Sequence, residues 1–395
     1  MRKKKGISQS RCALILIGQN NAIGLLIGQA PNCVLPYSAS VNSRFLRNLL
    51  AFSLATFDAA TAARAQSPEP STTLLNVPRA IVLNPETGKV YVVASKESSM
   101  VVYNTANNPI SRVQTGANPV AIAINSVTNR IYVANSESGT VSVIDGATDS
   151  ILATLDVAAN PYVLASDQMS NKIFVSNTFS DTLTIIDGAT NSITKLKAGS
   201  ANVLAVDEKL SKVYLLGYED EYLKVLDEKS LTISKIKIGM HQWSIAIDPD
   251  THTVYVTRSG YAELVAIDLL TGGVMKIPTG ETPCAVALNP AAKTLYVVNH
   301  TGDSVTAIDA AKRTVLATIK VGHRPQGIAI DSIRNRIYVA NRNDNSISVI
   351  DGTSNKVTAT VPAAKNPFAL AFDPKIHQLF ATTIAGPPLE LIPIN

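Results

Sequence analysis

The sequence predicts an all-β protein, a β-propeller of four-stranded antiparallel blades, and three observations carry that reading. One phrase is written twice: NRIYVANSESGTVSVIDGAT starts at Asn129 and NRIYVANRNDNSISVIDGTS at Asn335. The aromatic of its IYV core recurs at Tyr91, Tyr132, Phe174, Tyr214, Tyr255, Tyr296, Tyr338 and Phe380, at intervals of 40 to 42 residues, and a fixed period in this range marks a repeat architecture. Each copy holds four short runs rich in Val, Ile, Thr and Tyr, parted by Asn-Pro, Asp-Gly and Ser/Thr/Asn clusters, with no room for a helix. Four antiparallel strands in about 40 residues make a propeller blade.

Along the chain, residues 1–65 read as a leader, with a secretory signal at about residues 41–65. Arg44 and Arg47 precede an apolar run, and Ala63 and Ala65 stand before Gln66 as a small-residue cleavage site. A start at Val41, with residues 1–40 not made, is the accompanying hypothesis. The earlier ALILIGQNNAIGLLIG is broken by Gln19, Asn20 and Asn21 and does not give the uninterrupted apolar run that spans a bilayer. Residues 66–71 form a short linker and 72–395 a single propeller domain. The expected protein is therefore exported, to the periplasm or beyond, with no transmembrane anchor in the mature chain.

Within 72–395, seven copies from Pro78 to Lys365 supply four strands each. The eighth supplies three, FALAFD, QLFATTI and LELIPIN, and STTLLNV before Pro78 is a strand without a blade. Thr72 to Val77 is thus expected to complete the last blade, giving eight blades whose terminal closure leaves no open edge. Seven blades with a frayed terminus is the alternative.

The repeats resemble the YVTN family of β-propeller repeats, whose pattern of NP..IAIN, TNRIYVAN and TVSVIDG is matched closely by blades two and seven. The resemblance implies an exported bacterial or archaeal propeller of the cell surface or periplasm. Nucleic-acid binding is suggested for some relatives, and similar propellers include lactonase-type enzymes.

Composition narrows the chemistry. The formal charge is +5, but residues 1–65 hold eight of the 35 Lys and Arg and one acid, Asp58, so the remainder carries 27 basic and 29 acidic residues. A general attraction to nucleic acid is not supported by that balance. Cys12 and Cys33 fall in the leader, leaving Cys284 without an internal disulfide partner and reading as a small buried hydrophobe. The chain has no GxSxG elbow, GxxxxGK loop, CxxCH, CxxC or HExxH, and no cofactor or metal is expected. The Asx ring that ends the innermost strands, Asn84, Asn125, Asp167, Asp207, Asp248, Asn289, Asp331 and Asp373, has the look of a metal crown. It recurs in every copy, which favours turn residues bonding their own backbone. The Asp of VID reads the same way.

Departures from the repeat locate a candidate site. Strand alternation puts the second-to-third loops on one face with the crossings into the next inner strand, around the channel mouth, where variable loops on a rigid frame hold ligands. The crossings place Arg79, Tyr162, Trp243, Gln326 and Phe368 there, preceded by His241, Glu281 and His323-Arg324. The neighbouring loops of blades five to seven add Arg258, His300 and Arg342, while blade four carries Glu219, Asp220 and Glu221. Trp243 could stack a sugar or base with cations holding an anionic group, or it could plug the channel. The expected function is a binding or scaffold module for an anionic glycan, a nucleic acid or an envelope protein, acting as a monomer. The alternative is a lactonase-type hydrolase with His241, His300 or His323 as general base and Glu281 reaching a histidine from the adjacent blade.

Overall fold

The computed structural model describes residues 12–18, 23–29 and 78–394, apart from 96, 179 and 385. Every regular element among them is a strand. Blades one to eight start at Pro78, Pro119, Pro161, Val203, Gln242, Pro283, Pro325 and Pro367, and in blades two to seven four antiparallel strands run from the channel outward in chain order. Blade eight contributes three strands ending at Leu389–Ile392. The fourth strand expected from Thr72 to Val77, the linker and the cleavage site at Ala65 lie outside the described residues. Cys12–Gly18 and Ile23–Gln29 pair as a hairpin that continues the sheet of blade one inward, Ile23–Gln29 bonding to Pro78–Leu83. Its backbone runs beside the inner strands of blades two, four, five, six and eight, within the channel. Among the described residues no helix is long and apolar enough to cross a membrane.

The eight-blade count holds. The inner strands of blades one and eight pack together, Asn107 Nδ2 donates to the Leu389 carbonyl at 3.2 Å, and Lys375 Nζ donates to the Pro85 carbonyl at 2.6 Å. Burial follows the alternation of layers. Inner, second and third strands are buried on both faces, as in PVAIAIN, RIYVAN and TVSVI of blade two, whereas the outer strand ILATLD is mostly exposed.

The recurring aromatic explains itself at the seams between blades. All eight are fully buried, and three tyrosines reach across a seam to a carbonyl of the next blade's third-to-fourth turn: Tyr91 to Gly146 (3.2 Å), Tyr255 to Ala310 (2.9 Å) and Tyr296 to Gly352 (3.5 Å). The Asx ring acts beside it. Asn84 Oδ1 accepts the Glu86 amide of its own turn, as the sequence suggests, and the same side chains also join blades. Asn84, Asn125 and Asn289 donate to Asn129, Asn171 and Asn335 of the following blade at 2.6, 2.8 and 2.8 Å. The Asp of VID likewise serves its turn: Asp145 accepts the Ala147 and Thr148 amides, and these bonds hold its carboxyl below the ordinary range.

Candidate functional site

The backbone places the crossings and the second-to-third loops on one face. His241 donates its amide to the Tyr218 carbonyl (2.7 Å), His300 to Thr282 (2.9 Å) and Arg342 to Arg324 (3.2 Å). In blades two, three and five to eight the residue just before the inner strand takes a left-handed conformation. Asn118, Asn160 and Asn366 fill it in blades two, three and eight, while His241 (φ 65°), Thr282 (φ 52°) and Arg324 (φ 48°) fill it in blades five to seven. Asn and His tolerate this region better than Thr or Arg, and the less favoured choices cluster on these blades, as strained residues do at working surfaces.

The predicted residues separate into two groups. The first is aromatic and lies between blades four and five. His241 Nδ1 and the Tyr218 hydroxyl are 2.9 Å apart, and the Tyr218 ring meets His241 and Trp243 edge-on, with centroids 4.9 and 5.5 Å away. Trp243 is half-buried, packed against the core, with its Nε1 enclosed and without a protein partner. The exposed stacking surface expected of it is thus largely taken by the protein. Arg258, expected to hold an anion, is buried and engaged on every side. It pairs with Glu263, donates Nε to the Met240 carbonyl at 2.9 Å, and lies 4.0 Å from the centroid of the Tyr261 ring. The acidic side of blade four is also neutralised locally, Asp220 by Lys224 at 2.7 Å and Glu221 by Lys237 at 3.0 Å.

The second group belongs to blades six to eight. Arg324 is exposed and Arg342 half-exposed, and neither has an acidic partner among the described residues. The Arg342 guanidinium lies 5.8 Å from the centroid of Phe368. His300 Nδ1 faces the Pro325 carbonyl at 3.0 Å. Burial, with Arg324 and Arg342 adding to it, holds the imidazole below its ordinary range, so His300 is neutral and its Nδ1 hydrogen goes to that carbonyl. Gln326 is buried at this position with its Oε1 unpartnered. Cys284 packs below it, buried, its Sγ 3.7 Å from the Pro325 carbonyl.

His323 bonds to Asp303 at 2.8 Å, not to Glu281, and this bond raises its affinity for a proton. The side chain stands largely in solvent, 71% exposed, and Asp303 also accepts the Arg324 amide, as Asp181 and Asn345 accept Ser200 and Asn366 in other blades. The pair is therefore first a loop support. Glu281 is exposed and bonded to no histidine among the described residues. Arg79, in blade one, donates to Ser95 at 3.3 Å, and Tyr162, in blade three, packs against the core, so neither joins these groups. Sequence comparison between blades did not single out Tyr218, Tyr261, Glu263 or Asp303. The two tyrosines occupy loop positions that vary among the blades, and the acids become partners only through the strand pairing.

Gly327 lets the strand carrying Gln326 approach blade eight. A Cβ there would stand 2.5 Å from the Phe368 carbonyl oxygen, so backbone would have to move. Gly327→Ala is expected to destabilise the protein by about 1–3 kcal/mol, read as a lower urea midpoint.

Fold and site together define an eight-bladed propeller with a basic and aromatic channel mouth. The chain matches no protein-family model and no curated protein. Among solved structures it is similar to the dihydro-heme d1 dehydrogenase NirN in complex with DHE, with TM-score 0.63 and 14% identity over 83% of this chain and 77% of that one. It is also similar to the Kuenenia stuttgartiensis hydrazine synthase, with TM-score 0.56 and 15% identity over 84% of this chain and 99% of that one. At such identity the likeness is one of fold.

Proposed function

We propose that the protein is an exported propeller of YVTN type that works as a binding module, holding an anionic ligand with an aromatic or sugar face at the mouth of blades six to eight. One observation carries this reading: the guanidinium groups of Arg324 and Arg342 have no acidic partner among the described residues, while Arg258, Asp220 and Glu221 are paired within the protein. Arg342 beside the Phe368 ring offers a cation and a flat apolar floor in one place, and the guanidinium forks suit carboxylate or phosphate groups. Cleavage after Ala65 would take the channel hairpin away with the leader, leaving the inner strands open to such a ligand.

The test uses the single tryptophan as reporter. The full chain and residues 66–395 are titrated with an acidic oligosaccharide, an oligonucleotide and hemin at low and high salt. A saturable change in Trp243 emission, weakened by salt and at least about tenfold weaker in Arg324→Ala or Arg342→Ala, is expected. The reading fails if no probe saturates, or if both variants bind as the parent does. The hydrolase reading retains one favourable observation, the His323–Asp303 pair, which orients an imidazole as a general base requires. Lactone turnover abolished by His323→Ala would establish it.

A further inference from the structure

The seam between blades three and four departs at every position from the three seams that are joined by an Asn pair. At three other seams an Asn ending an inner strand donates to an Asn of the next blade, and the glycine opening that blade's third-to-fourth turn leaves room for it: a Cβ on Gly146, Gly188 or Gly352 would collide with Asn129, Asn171 or Asn335. The tyrosines that cross other seams bond the carbonyl at this turn position, as Tyr91 does at Gly146. Between blades three and four the corresponding residues are Asp167, Ser211, Glu228 and Phe174. The glycine has become a glutamate, the amide donor a carboxyl group, and the phenol a ring without a hydroxyl.

Glu228 and Asp167 are both buried, 4% and 1% exposed. Glu228 keeps the backbone bond of its position, donating its amide to the Ser211 carbonyl at 3.0 Å, and its side chain turns into the seam. There Oε2 accepts the Ser170 hydroxyl at 3.1 Å, the Lys172 ammonium is 3.7 Å away, and Oε1 is buried with no hydrogen-bond partner among the described residues. Ser170 bridges the two carboxyl groups, its amide donating to Asp167 Oδ1 at 2.9 Å and its hydroxyl to Glu228 Oε2. Two carboxyl groups can bond each other only when one carries a proton, since two carboxylates repel.

We propose that blades three and four are joined by a proton-dependent latch, in which a protonated Glu228 carboxyl donates to Asp167 and takes the place of the Asn–Asn bond used at three other seams. Burial, and then Asp167, push the Glu228 carboxyl up to about 7. The surroundings reinforce this. Asp207 is buried with Oδ2 unpartnered, and Glu208, which accepts the Gln168 amide at 3.0 Å, is itself pushed up by burial and by Asp167 and Asp207. Asp227, on the same turn as Glu228, is held by its turn amides and by Lys212 at 3.5 Å. Lys172 is the cation that faces Glu228, and it is partly exposed. A carboxyl whose folded value is raised stabilises the fold fully below the ordinary carboxylate range, and that contribution is lost as pH rises through the folded value. The latch is therefore closed at about pH 5 and open above about pH 8.

Hydrogen exchange on the full chain across that interval tests it. In the parent protein, protection of the seam amides, Ser170 and Glu228 among them, should fall at least tenfold more than protection at the Asn-latched seam of blades six and seven. The infrared band of a protonated carboxyl group should vanish over the same interval. Glu228→Gln should abolish both effects, because an amide donates at every pH. Should that variant not fold, Asp167→Asn, which restores the donor found at other seams, is expected to remove the excess loss. Equal pH responses at the two seams in the parent, or an unchanged response in either folded variant, would overturn the latch.

Discussion

Arg258→Ala should unfold at a markedly lower urea concentration than the parent protein, with a loss of about 3–5 kcal/mol. The arginine side chain is 6% exposed and its partner Glu263 14%. Truncation would leave a carboxylate in a poorly solvated seam and remove the bond to the Met240 carbonyl and the stack on Tyr261. Lys276 Nζ, 3.4 Å from Glu263 but 62% exposed, offsets part of that cost and places the expected loss near the lower end. Removing both charges as Arg258→Met with Glu263→Leu should recover most of it, since a buried pair replaced by apolar groups of similar volume is often neutral. If Arg258→Ala instead weakened ligand binding with no change in the urea midpoint, the arginine would be a binding residue and the account of the first group would be wrong.

The recurring aromatic should show a comparable effect. Tyr255→Ala removes a fully buried ring that fills a seam and is expected to cost about 3–5 kcal/mol. Tyr255→Phe keeps the ring and loses only the bond to the Ala310 carbonyl, for about 1 kcal/mol. Phe174 and Phe380 already occupy this position in two blades, so the fold tolerates the absence of a hydroxyl. Near-equal losses for the two variants in urea denaturation would mean that the hydrogen bond, rather than the packed ring, makes the seam.

These two expectations bear on how a propeller can carry a site. Each seam is a packed and hydrogen-bonded contact between neighbouring sheets, and a change at one reaches the loops at both ends of the same strands. Arg258 ends a second strand at the channel mouth, and Gly327 sits one residue from Gln326. The framework and the candidate site therefore share side chains. Variants at the mouth need a stability measurement beside every binding measurement.

Much was legible from the amino-acid sequence alone, because a blade is written locally. The 40 to 42 residue period, the Asn-Pro and Asp-Gly turns and the alternation of apolar runs determine four strands per unit and eight units. Comparison between copies also placed the Asx residues in turns, and the observed bonds agree. What the tertiary structure alone decided is which charges are available. His241, Arg258, His300, Arg324 and Arg342 look alike as departures from a repeat, yet Arg258 meets Glu263 and His300 meets a carbonyl, while the guanidinium groups of the two arginines of blade seven meet no carboxylate among the described residues. The same holds for Asp167 and Glu228, about 60 residues apart, which become a pair only when consecutive blades close against each other. Propensity and turn chemistry act over a few residues and can be read in one copy of the repeat. Electrostatic pairing depends on distances across a seam, and those are set by the packing of whole sheets.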